Sequence, residues 1–360
     1  LETAKGKHVV TLAMAVGQLR DTESTGTLLD LAKHTDPAVA RAARYALANI
    51  APPSALTVLD NAAKNGSPGD RPRDLRQLLL FAQRRTESGA TAEAASLCRK
   101  LATNDALPDH VRTGALTTLV DAVGIQALPD LAEAAQSKKH ELREGALRLA
   151  AELPAAETVK TFTPVLQAAK QEDVRADIVA MLGRTGSPAA ATAVQAALAD
   201  PAAAVRQAAT RSLPSVSGPN ALALLVERMT STDDSDIAAA KETLSWVSPK
   251  GYAAALAAGL ANASPKGRSA LLTLLASRNA TDQVDAVFAM TSEQDRDVRK
   301  AALNALETIA GTADVPRLVD LFAASDSAAT RQDIRTVLVA ICRHDPAAVE
   351  PILAAEKSAA

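Results

Sequence analysis

Apolar and small residues recur along this chain at offsets 0, 3, 4, 7 and 8 from a moving anchor, one face of a helix at 3.6 residues per turn. In one copy these are Val298, Ala301, Ala302, Ala305 and Leu306. The surrounding line, DPAAAVRQAATRSL at 200–213, returns as DVRKAALNAL (297–306), DHVRTGALTTL (109–119) and AVARAARYAL (38–47). Equivalent anchors fall at Val39, Leu75, Val111, Leu142, Val174, Val205, Asp236, Gly267, Val298 and Thr330, at steps of 36, 36, 31, 32, 31, 31, 31, 31 and 32 residues. A near-constant interval of this kind means an array of copies.

Upstream of each anchor lies a second helical run, such as ALTVLDNAAK (55–64) or ALALLVERM (221–229). Gly or Pro punctuates the joints, as at Gly186-Ser187-Pro188 and Gly218-Pro219. Two helices in about 31 residues leave no room for strands, so the fold class is all-α, a solenoid of about ten helical hairpins. The expected organisation is a single solenoid over 1–360, with an N-terminal half-repeat at 1–20, ten helix pairs at 21–344 and a C-terminal half-repeat at 345–360. Half-repeats at both ends, with Leu1 in place of Met, read as a piece cut from a longer parent, or as caps. The stretches 64–73 and 84–91, rich in Gly, Ser and charge, are expected to be exposed loops.

The helix pair, the turn carrying Asp or Pro, and the Val-Arg-x-Ala-Ala start of the second helix resemble the HEAT repeat family. That resemblance implies a right-handed superhelix whose second helices line a concave face. The run 128–213 is also similar to HEAT segments of large exported bacterial proteins that carry 3-keto-disaccharide hydrolase-like or haem-binding domains. This second resemblance implies a scaffold segment of a larger chain at the periplasm or cell surface.

Composition changes the picture in a few places. Aromatics are 2% of the chain, so Ala-rich helices must stack closely, each hairpin burying little area. The net charge of -2 gives no overall field for nucleic acid, and no apolar run is long enough to span a bilayer. Cys98 and Cys342 stand alone without a C-x-x-C, and no cofactor or metal site is expected. His140-Glu141 is similar to the His-Glu pairs of the HEAT-like deoxyhypusine hydroxylases, but that family needs several such pairs. HEAT-like DNA glycosylases need a basic, aromatic-lined face that the Ala/Thr-rich one here does not match. No phosphate loop, G-x-S-x-G or H-E-x-x-H occurs, and the chain is read as non-catalytic.

Two sets of side chains remain. Eight anchors are followed directly by Arg: Arg76, Arg112, Arg143, Arg175, Arg206, Arg268, Arg299 and Arg331. They are expected to form a structural ladder, bonding carbonyls and carboxylates (Asp36, Asp109, Asp173, Asp200 and Asp297) near the preceding turns. Offsets 2, 6 and 9 should point to the concave surface, making Arg41, Tyr45, Phe81, Arg148 and Arg211 candidate binding residues, with Arg44 and Arg84 flanking Tyr45 and Phe81. From 36 to 85 there are eight Lys or Arg against four Asp. The competing reading has Tyr45 and Phe81 filling a joint between long repeats. Trp246, with Tyr252 across the SWVSPKGY turn, is a further binding candidate or a plug beneath that turn. The expected function is a scaffold for a protein partner or a neighbouring domain of the same parent chain. The alternative is a module for a polyanionic or saccharide ligand at the Arg/aromatic end.

Overall fold

The computed structural model describes residues 7–247 and 249–359 and contains no strand among them. Its contacts divide the chain into two compact units, Leu1–Met181 and Leu182–Ala360. Unit 1 opens with α1 (Lys7–Leu19). Hairpins follow: α2 (Thr25–Leu31) with α3 (Pro37–Ile50), α4 (Ala55–Asn65) with α5 (Arg71–Glu87), α6 (Thr91–Ala102) with α7 (Asp109–Val123), and α8 (Leu128–Ala134) with α9 (His140–Glu152). Then come α10 (Ala155–Ala168) and α11 (Glu172–Arg184), the helix in which the division falls. Calling the two helices of a hairpin A and B, the B helices lie side by side in sequence order, α1 on α3, α3 on α5, α5 on α7 and α7 on α9.

Unit 2 repeats the plan. Its hairpins are α12 (Ala191–Ala197) with α13 (Ala203–Val216), α14 (Ala221–Glu227) with α15 (Asp234–Trp246), and α16 (Tyr252–Gly259) with α17 (Pro265–Ser277). Two more follow, α18 (Val284–Ala289) with α19 (Arg296–Ile309) and α20 (Val315–Ala324) with α21 (Ala328–His344), before α22 (Val349–Ala359). The B helices α13, α15, α17, α19 and α21 again pack in file, and α22 packs on α20.

Local chemistry sets where the B helices begin. Asp36, Asp233, Ser264, Asp295 and Ser327 sit at N-caps and accept backbone N–H groups of the first turn with their side chains. Pro37 and Pro265 occupy the first helical turn, where a missing N–H costs nothing. Several A helices of unit 2 open through a 3-10 turn at the Pro or Gly joint, which leaves them shorter than their B partners.

Offsets 0, 4 and 8 form the core. Val205, Ala209 and Leu213 are fully enclosed, as are Val298, Ala302 and Leu306. The middle position is small in most copies (Ala43, Ala115, Ala146, Ala209, Ala240, Ala302), which lets neighbouring B helices approach closely. One close approach leaves no room for a side chain at all: a Cβ at Gly17 of α1 would stand 2.6 Å from the Ala46 Cα of α3. Burial per hairpin is modest at about 25 cal/mol per Å² of apolar area, so stability accumulates over many hairpin interfaces.

The expected loops at 64–73 and 84–91 are not what forms. Helix α5 runs from Arg71 to Glu87, leaving only residues 66–70 and 88–90 as connections. The charges there decorate a helix surface: Arg84 pairs with Glu87 one turn on at 2.8 Å, and the basic last turn suits the helix C-terminus.

Candidate functional site

Where α1, α3 and α5 lie side by side, their outer surface dips into an open groove of about 470 Å³. Helix α1 contributes Val10 and Met14 at i and i+4, and α3 contributes Ala38, Ala42, Arg41 and Tyr45. Helix α5 adds Arg73, Arg76, Gln77 and Leu80. The walls are mostly apolar, with Met14 left 44% exposed.

Charge in the groove is unbalanced. Asp70 pairs with Arg73 at 2.8 Å and with Arg41 at 3.6 Å. The hydroxyl of Ser67 donates to that carboxylate at 2.8 Å, and this bond, helped by the flanking guanidiniums, holds Asp70 below the usual carboxylate range. Arg76 has no carboxylate within 4 Å among the described residues. Three guanidiniums therefore face one carboxylate. On the groove floor Gln77 is 5% exposed; its Nε2 donates to the Arg41 carbonyl at 3.5 Å, and its buried Oε1 has no donor.

Two other depressions lack this imbalance. One, of about 550 Å³ along α6 to α9, has its arginines tied up internally, Arg99 with Asp130 at 3.1 Å and Arg112 with Asp105 at 2.8 Å, and sets Lys138 and Lys139 against Glu133. The other, of about 950 Å³ on α15, α17 and α19, sets Lys241 and Lys266 among Asp234, Asp295 and Asp297, and Lys266 pairs with Asp234.

Among the residues singled out from the sequence, only Arg41 and Tyr45 of the binding set line the groove. Phe81 is 3% exposed and belongs to the core, so it presents nothing to a ligand. The reason is a rotation of α5: its buried stripe is Asp74, Leu75, Gln77, Leu78, Phe81 and Ala82, which turns Arg73, Arg76 and Leu80 outward in place of the offset-2 and offset-6 residues. Arg44 points the other way, its Nε 3.2 Å from Asp74, a carboxyl whose pKa is raised by burial against the opposing pull of Arg44. Arg84 ties α5 to α3 by donating to Asn49 Oδ1 at 2.9 Å. Arg148 pairs with Glu152 at 3.2 Å on the exposed side of α9, and in unit 2 Arg211 pairs with Glu242 at 3.1 Å. Trp246 ends α15 at 80% exposed, so it plugs nothing. Tyr252 does the packing: it is buried, its hydroxyl donates to the Leu244 carbonyl at 2.7 Å, and Arg278 lies over its ring at 5.3 Å.

Sequence reasoning missed Val10, Met14, Arg73 and Leu80. Met14 had a signal, a large apolar residue on the outer face of α1, but the groove exists only once α1 is laid against α3.

The Arg column divides. Arg206 donates to the carbonyls of Asp200 and Pro201, both at 3.0 Å; Arg299 reaches those of Glu293 and Gln294, both at 2.7 Å. Arg175 bonds Ala169 and Lys170, Arg268 bonds Leu260 and Ala261, Arg112 bonds Ala102 and Arg143 bonds Ser137. These guanidiniums close the C-terminal ends of the A helices, where carbonyls lack partners. The carboxylates come chiefly from the next hairpin: Asp173 and Asp177 for Arg143, Asp233 and Asp236 for Arg206, Glu293 for Arg268. Asp36 and Asp200 accept backbone N–H groups of their own turns. Arg76 and Arg331 are exposed, with no ion pair within 4 Å among the described residues. For Arg76, the carbonyl six residues back, Asp70 O, already accepts from the N–H groups of Arg73 and Asp74.

His140 stands 3.8 Å from Glu144 and 4.0 Å from Asp177. Among the described residues no three His, Cys, Asp or Glu are grouped to hold a metal ion, and no helix is long and apolar enough to cross a membrane. Cys98 is enclosed, and burial pushes its thiol up to about 12.

The sequence matches the family model described as HEAT repeats over residues 4–80, 159–245 and 253–339. No curated protein matches it. Among solved structures it is similar to karyopherin Kap121p bound to the extreme C-terminus of the protein phosphatase Cdc14p, at 12% identity and a TM-score of 0.52, covering 89% of this chain and 42% of that one. Kap121p alone gives 11% identity, a TM-score of 0.51, and coverage of 93% and 44%. The chain thus spans less than half the length of these karyopherins, and the likeness is one of fold. Human deoxyhypusine hydroxylase in complex with glycerol aligns at 20% identity over 72% of this chain and 99% of its own, with a TM-score of 0.33, too low to bear on activity. With the family model matched over more than half its length and helical hairpins stacked in both units, the chain belongs to the HEAT repeat family.

Proposed function

We propose that the chain is a non-catalytic protein-interaction scaffold that docks a partner on the outer surface of its B helices. The observation that carries this reading is the α1–α3–α5 groove, the one depression described above where apolar walls coincide with unbalanced charge. Its side chains are held in advance: Asp70 fixes Arg41 and Arg73, and Tyr45 and Met14 stand on packed helices, so binding orders little. The partner is a separate protein or a neighbouring domain of the parent chain. Kap121p, whose solved complex holds the extreme C-terminus of a phosphatase, offers a precedent of fold for a segment on a HEAT surface.

Selection of a random peptide display library on the full chain tests the reading. Enrichment of peptides that compete for one saturable surface supports it; no enrichment over an unrelated helical protein sinks it. A second reading, a polyanionic or saccharide ligand at the same end, is favoured by the gathering of Arg41, Arg73 and Arg76. It predicts binding of inorganic polyphosphate or a sulfated glycan that weakens steeply with salt. Its test uses Arg73→Ala with Arg76→Ala, because removing Arg44 would strand the buried Asp74.

A further inference from the structure

The groove has an apolar half and a cationic half, and the two together restrict what can fill it. Val10, Met14 and Tyr45 offer a wall for a side chain without charge. Along the opposite rim Arg73 and Arg76 stand one helical turn apart, and only Arg73 is matched by a carboxylate. The whole chain carries a net charge of -2, so the positive excess is local and would not draw a polyanion from a distance. At the floor, the donorless Oε1 of Gln77 is an acceptor that a peptide N–H can satisfy on a small turn of the amide.

We infer that the groove takes an acidic segment of a protein partner, with one apolar side chain seated between Met14 and Tyr45 and carboxylates on Arg73 and Arg76. The inference rests on the scaffold reading and adds the chemistry of the occupant. Ligands that are only anionic leave the apolar wall in water, and ligands that are only apolar leave Arg76 unmatched. Arg fits the role because its fork takes a carboxylate through two parallel bonds.

The test is fluorescence anisotropy on the full chain with a labelled peptide of repeating Asp-Glu-Phe-Leu. Two comparison peptides carry Lys for the acids or Ser for the apolar residues, and inorganic polyphosphate is the charge-only competitor. Only the first peptide is expected to bind. Arg73→Glu with Arg76→Glu should weaken it about tenfold or more and bring in the Lys peptide, a reversal that simple loss of fold cannot produce. Tyr45→Ala should weaken binding about tenfold with helicity unchanged. If that variant unfolds, Met14→Ser on the exposed wall makes the same measurement. The inference is overturned if the Asp-Glu-Phe-Leu peptide does not bind, if the Ser peptide or polyphosphate binds as tightly, or if charge reversal leaves the affinity alone. Should display selection yield peptides that bind elsewhere while this peptide fails, the scaffold reading stands and the acidic-segment inference falls. If neither binds, both fall.

Discussion

Arg206 and Arg331 occupy the same place in their repeats, one residue after the anchor, yet their surroundings differ completely. Arg206 is largely enclosed, donates to two carbonyls at 3.0 Å, and meets Asp233 and Asp236. Arg331 is exposed and has no ion pair among the described residues. Replacing Arg206 by Ala orphans the two carbonyls and removes one of the cations from Asp236, which is 3% exposed. Asp236 keeps Arg228 and the Ser231 hydroxyl, so it is weakened without being stranded. Two charge-assisted bonds to backbone at about 1.5 kcal/mol each set the scale, and the exposed Asp233 adds little to it. The expected loss is about 3 kcal/mol for Arg206→Ala, and under about 0.5 kcal/mol for Arg331→Ala. In urea unfolding followed by far-UV circular dichroism, the transition of unit 2 should fall by roughly 1–2 M in the first variant and hold in the second. Equal shifts would mean that position in the repeat, and not the contacts made there, decides the energy, and the argument from geometry would be wrong.

Other substitutions probe packing. Gly17→Ala should destabilise by about 1–3 kcal/mol despite the better helix propensity of Ala, because its Cβ would meet the Ala46 backbone. Gly26→Ala, with nothing within 4 Å, should be neutral or slightly stabilising, and thermal melts of the pair decide the matter. Phe81→Ala should cost about 3 kcal/mol and Tyr45→Ala about 1, measured by denaturant titration; similar losses would return Tyr45 to the core and remove it from the groove. Cys98 should resist alkylation at neutral pH until the chain unfolds, since its thiol keeps its proton up to about 12 in the fold. Because the unfolded thiol ionises near 9.0, that group's contribution is intact below this pH and declines as pH rises toward 12.

The repeat frame was legible because it is written in side-chain size: Val, Ala and Leu at offsets 0, 4 and 8 of α13 and α19 are fully buried. Turns carrying Asp were legible ahead of several B helices, and Asp36, Asp233 and Asp295 act there as caps. The groove was not legible. Its best apolar residue, Met14, belongs to α1, outside the ten anchored copies, and its key cation was assigned to the ladder. Arg76 and Arg112 look alike in one dimension, and only the rotation of α5 separates a surface guanidinium from a buried one. A repeat pattern reports what the copies share, whereas a recognition surface arises where one copy departs from the rest.

Asp236 is such a departure with a further consequence. The hairpin α14–α15 lacks the usual Arg, but its Asp receives the guanidinium of the hairpin before it. Deleting that hairpin as a clean module would bring Gly267, the equivalent residue, opposite Arg206. An arginine would then point at bare backbone. The copies are therefore keyed to their neighbours, like stones cut for one course of a wall, and arrays shuffled from them should fail at the joints even where each stone is sound.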